Sequence, residues 1–227
     1  MRMKALLIGD VRFQFKYGFY FLYLIFTVLY TTLLFILPET WREKAAILMI
    51  FSDPAAMGLY FMGAIVLFEK SERVLNSLAI SPAKVYEYVT AKLLSIAVVS
   101  TTVGVLVGLS GKVVSNIFYF ILGVLIGSCL FSAIGLMIAV NIATLNQFIL
   151  ATIPAELLIS LPAIVYLFGS KPGWLIFHPG VCVIELCQNG LIALPAAIIL
   201  IVWTTLLALF ACHAVAKSFR LLGGMKL

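Results

Sequence analysis

Residues 117–140 read IFYFILGVLIGSCLFSAIGLMIAV, without one charged side chain. A helix of that length, at ~1.5 Å per residue, crosses the ~30 Å hydrocarbon core of a bilayer. Five further stretches have the same character: 18–37, 45–68, 93–110, 148–168 and 191–216. Their apolar runs are continuous rather than alternating, which argues against a transmembrane barrel. The chain is 64% hydrophobic and 11% charged. A soluble domain is about half apolar and a quarter charged, so no soluble fold hides this excess. The expected fold is an all-α polytopic membrane protein, with six transmembrane helices in one domain over residues 1–227.

The segments between the spans set orientation. In residues 1–17, Met3, Leu7, Val11 and Phe15 recur every fourth position, with Arg2, Arg12 and Lys16 roughly opposite. That pattern suits a helix lying in the headgroup layer. Residues 38–44 (PETWREK) read as a tight polar turn, with Trp41 as an interfacial anchor. Residues 169–190 are too apolar for a solvated loop and too broken by Gly and Pro for a span. They read as short helices that dip back into the outer leaflet, where protein or trapped water satisfies their backbone. With the N-terminus inside, the inner segments hold 11 basic residues and the outer segments 4. This bias predicts a multi-pass protein of the plasma membrane with both termini cytoplasmic. The net charge of +6 is thereby a mark of topology, and no nucleic-acid partner is expected.

The longest polar interruption is residues 69–92, EKSERVLNSLAISPAKVYEYVTAK. Ser81-Pro82 reads as a helix start, because Pro at the first helical position loses no hydrogen bond and Ser caps the free N–H groups. One short helix over about 69–79 should break there, and a second should run from it into the third span. Glu69 and Arg73 stand four apart, and Lys84, Tyr86, Glu87 and Tyr88 project from the first turns of the second helix. The alternative is that Tyr86 and Tyr88 are aromatic-belt anchors and the charges a solvated face.

This elbow resembles the corresponding region of ABC-2 type ABC-transporter permeases. The matching residues are Glu69, Lys70 and Glu72, then Ser81-Pro82, then Glu87-Tyr88, then Lys92. Arg73-Val74 replaces the Gly-Thr of many relatives. The six-span layout, the interfacial helix and the half-inserted segment between spans five and six resemble the family too. The resemblance implies a permease dimer, of like or unlike chains, with two cytoplasmic ATPase subunits that carry the ATP and Mg. It implies export from the cytoplasm or inner leaflet, and ATPase docking through Glu69, Glu72, Arg73, Ser81, Pro82, Lys84, Tyr86, Glu87 and Tyr88.

The chain itself has no G-x-x-x-x-G-K-[ST] phosphate loop and no G-x-S-x-G nucleophile elbow. Its two histidines, His178 and His213, lie on different segments, so no cofactor, metal or catalytic residue is expected. Cys182 and Cys187 lie on the expected outer side, where a disulfide is an open possibility. Asp53 and Glu156 are acids within spans, where a charge costs about 2.5–3.5 kcal/mol on insertion scales and faces a bundle interior. Glu156 reads either as a polar point on a substrate path, or as a structural hydrogen bond to a group such as Asn141 or Asn146. Asp53 reads either as another path residue or as the cap of a helix restarting at Pro54. Gly123 and Gly127 have the spacing that lets two helices approach closely. The few buried charges lean toward a hydrophobic or amphipathic cargo, such as a drug, lipid or peptide. The rival reading is a gradient-driven carrier or channel that titrates Asp53 and Glu156 and needs no ATPase.

Overall fold

The computed structural model describes residues 2–81, 83–169, 171–188 and 192–222. Helix α1 (Arg2–Lys16) is followed by α2 (Phe19–Ile36), and Gly18 turns the chain between them in the left-handed region, at φ 74°. Six helical stretches are long and apolar enough to cross a membrane, and no strand occurs among the described residues.

The second span is longer than the sequence suggests. Helix α3 (Glu39–Asp53), a π-helical stretch (Pro54–Phe61) and α4 (Met62–Ser71) form one continuous rod. The polar heptad 38–44 is helical because Arg42 reaches back to the end of α2. Its Nε donates to the Leu34 carbonyl at 3.0 Å and its Nη2 to that of Leu37 at 3.2 Å. Those carbonyls are orphans of the helix end, and the guanidinium satisfies them. The expected break at Asp53-Pro54 is absorbed instead. Pro54 cannot donate to the i−4 carbonyl, and the helix widens to i→i+5 pairing rather than stopping.

After α4 the chain breaks at Arg73, in the left-handed region at φ 58°. A short α5 (Val74–Ala79) follows, then α6 (Val85–Ser110). Helix α6 starts later than Ser81-Pro82, because the Glu87 carboxylate accepts from the Lys84 backbone N–H at 2.9 Å and caps the first turn. Ser81 closes α5 instead, donating to the Leu78 carbonyl at 2.8 Å. Pro82 lies outside the described residues.

Helix α7 (Ile117–Asn141) is the hub, packed against α6, α10 (Ala193–Leu222), the π stretch and α9 (Pro179–Gln188). Its small residues make this possible. A Cβ added at Gly123 would meet Leu186 at 2.7 Å, and one at Gly127 would meet Val183 at 2.9 Å. The expected glycine pair thus receives α9 from the segment between the fifth and sixth spans. One turn further, Gly135 sits against the Leu59 backbone of the π stretch. Burial follows this plan: the most apolar window of α7 is 61% buried, but those of α2, α8 (Leu145–Phe168) and α10 only 17%, 22% and 22%. The exposed faces of those three are apolar, as a surface that meets lipid must be.

Candidate functional site

At the elbow end, six polar side chains from three helices gather in one buried cluster. Lys92 of α6 is 2% exposed and pairs with Glu69 of α4 at 2.6 Å and with Asp10 of α1. The other Glu69 oxygen accepts from the Tyr88 hydroxyl at 2.8 Å. The other Asp10 oxygen takes a proton from Ser95 and an N–H of Gln14, the latter at 3.0 Å. Gln14 also donates to Ser95 at 2.9 Å. Ion pairs this buried hold only when their remaining lone pairs are satisfied, and here both carboxylates are.

The next residue faces the other way. Lys70 donates to the carbonyls of Ala139, Val140 and Ile142, each at 2.8 Å. These are the orphan acceptors at the end of α7, where the helix dipole also favours a cation. The pair Glu69-Lys70 therefore fastens the end of the second span to α1 and α6 on one side and to α7 on the other.

The expected docking residues divide accordingly. Glu69 and Tyr88 point into the protein, because Lys92 one turn beyond Tyr88 draws both inward. Glu72, Arg73, Lys84 and Tyr86 remain exposed, and Glu87 and Ser81 are half-buried in the caps described above. Between them Ile80 is 82% exposed. Sequence reasoning missed Asp10, Gln14 and Ser95. The apolar stripe of α1 does turn outward at Met3, Val11 and Phe15, while Asp10 and Gln14 form the buried edge.

Within the spans, Glu156 of α8 accepts from the Tyr60 hydroxyl of the π stretch, not from Asn141 or Asn146. Asp53 is 1% exposed, and neither of its oxygens has a partner among the described residues. A third acid, Glu185 of α9, was missed. It is buried, accepts from Tyr166 at 2.5 Å and lies 3.9 Å from Lys171. Cys182 and Cys187 are free thiols, which burial pushes up to about 12, so they stay protonated and inert.

The segment between the fifth and sixth spans is tied down by two carbonyls. Pro162 has no N–H for the Leu158 carbonyl one turn earlier. His178 Nε2 fills that place at 3.2 Å. A carbonyl only accepts, so Nε2 carries the proton, and desolvation holds the imidazole below its usual range and neutral. Trp203 of α10 donates to the Phe177 carbonyl at 3.0 Å. Leu158 is ten residues before the end of α8 and Trp203 ten after the start of α10. Residues 177 and 178 thus lie about 15 Å along both helices.

Residues 1–188 match the Fluoroquinolones export permease protein family. Two relatives are fluoroquinolones export permease proteins of Mycobacterium tuberculosis, from strain CDC 1551 / Oshkosh and strain ATCC 25618 / H37Rv. Each is 28% identical over 135 residues, which is 57% of this chain. The match covers only 56% of the length of each relative.

Proposed function

The chain belongs to the Fluoroquinolones export permease protein family, and on that premise we propose that it is the membrane half of an ATP-driven exporter of amphipathic, planar drugs. Its elbow takes the thrust of a separate ATPase. The observation that carries this reading is the construction of the elbow. An exposed polar rim with one bare isoleucine, Ile80, stands on a base clamped to four helices. A rim held that firmly converts a push into movement of the bundle rather than into local yielding. The rim residues Glu72, Arg73, Lys84 and Tyr86 supply the charges and the ring for a soluble partner. In this reading ATP and Mg reside on two ATPase subunits, two permease chains pair, both termini face the cytoplasm, and residues 173–188 form a segment dipping from the outer side.

The test is charge reversal on the rim. Lys84→Glu with Arg73→Glu should leave the chain folded and yet abolish ATPase co-purification and ATP-dependent drug efflux from vesicles. Full coupling in that double variant would sink the docking assignment. The rival carrier reading draws on Asp53, the buried acid without a partner. Drug transport by the chain alone in liposomes, driven by a proton gradient and lost in Asp53→Asn, would favour it.

A further inference from the structure

A cavity of about 480 Å³ lies between α7, α8, α10 and the start of the 173–188 segment. That volume falls within the usual ~300–1,000 Å³ of sites for drug-sized ligands. Its position follows from the two carbonyl tethers. His178 on Leu158 and Trp203 on Phe177 hold the segment away from α7, about 15 Å in from the ends of α8 and α10, and the gap behind it stays open. Three aromatic rings stand on its wall: Trp174, Phe177 and Trp203. Met137 and Ala155 form part of the remainder.

The polar chemistry of the cavity is sparse. The N–H of Trp203 is already used by the Phe177 carbonyl. Trp174 is 71% exposed, and its N–H has no acceptor among the described residues. A tryptophan at such depth keeps a donor that hydrocarbon cannot satisfy. An acyl chain would fill the volume and leave that donor empty. A flat ring system with an oxygen acceptor would meet the aromatic faces in offset or edge geometry and the N–H as well.

We propose that this cavity binds a planar aromatic compound carrying a carbonyl or carboxylate, packed against Trp174, Phe177 and Trp203, with Trp174 Nε1 donating to the oxygen. The assignment rests on the export reading above for its class of cargo, but binding itself needs neither ATPase nor nucleotide. The experiment is equilibrium binding of a fluoroquinolone to the purified chain in lipid nanodiscs, without ATPase. Ala155→Phe fills the cavity and leaves both tethers intact, and it should raise Kd more than tenfold. Trp174→Phe keeps a ring and removes the donor, and it should raise Kd roughly fivefold, the weight of one hydrogen bond. Circular dichroism and a monodisperse elution profile establish that each variant is folded, and either one alone decides the matter. Unchanged Kd in a folded variant overturns the proposal. So does a co-purifying lipid that the drug fails to displace in native mass spectra, or a disulfide-linked dimer formed by Trp174→Cys. Binding as expected without ATP-dependent efflux overturns the export reading and leaves the cavity standing.

Discussion

The two ends of this bundle are held by different chemistry. At the elbow, four helices meet through full charges: Asp10, Glu69 and Lys92 on one side, Lys70 on the carbonyls of α7 on the other. At the far end, His178 and Trp203 hold the 173–188 segment through single neutral N–H groups on backbone carbonyls. A buried charge that loses its partner costs several kcal/mol, and a neutral hydrogen bond nets about one. The elbow is therefore the stiff end and the cavity the yielding one, as suits a machine that receives force at one end and rearranges at the other.

Lys92→Met should produce the largest loss. It leaves two buried carboxylates without their cation, and about 3–5 kcal/mol of stability should disappear. Thermal unfolding in detergent reads this, with Lys84→Met on the exposed rim as reference. Equal loss in both would erase the contrast between the ends. Lys70→Met should come next, at about 1–3 kcal/mol, since several α7 carbonyls lose their donor together. Hydrogen exchange should then quicken at residues 137–142 and leave α10 unchanged. His178→Ala should cost only about 1 kcal/mol. It should cost almost nothing on a Pro162→Ala background, where residue 162 regains an N–H and satisfies the Leu158 carbonyl. A double-mutant cycle measures this coupling, and additive effects would refute the proline account. Acidification tests the same tether at smaller scale. The folded pKa of His178 lies below its ordinary 6.5, so charging it disfavours the folded form. The cost is absent above pH 6.5 and grows as pH falls toward the lowered folded value. His178→Gln should remove this pH dependence.

The six spans were legible because a continuous apolar run has one meaning in a chain of this length. The place of the elbow was legible for the same reason, as the one long polar gap. Which of its residues face outward was not. A run of charges reads as solvated unless its partners are known, and Asp10 lies 82 residues from Lys92 in sequence. A weak signal existed: Tyr88, Lys92 and Ser95 fall at i, i+4 and i+7, a polar stripe on an otherwise apolar helix. Asp10 and Gln14 are likewise four apart on α1. Two polar stripes on neighbouring apolar helices can satisfy one another, and here they do. Ser81 misled because serine serves either end of a break, and its hydroxyl found the Leu78 carbonyl first. Glu185 was hidden because the glycines and prolines around it suggested a loop, although residues 179–188 are helical.

The π stretch at Pro54–Phe61 has a consequence for chain length itself. It sets the angular phase between the two halves of the second span. Excising one residue there would restore ordinary winding and swing everything beyond it by about 100°. Glu69 and Lys70 would rotate off both sets of partners together, though every side chain of the clamp survived. A one-codon deletion about ten residues away should therefore unfold as easily as Lys92→Met, and two insertions of opposite sign should cancel.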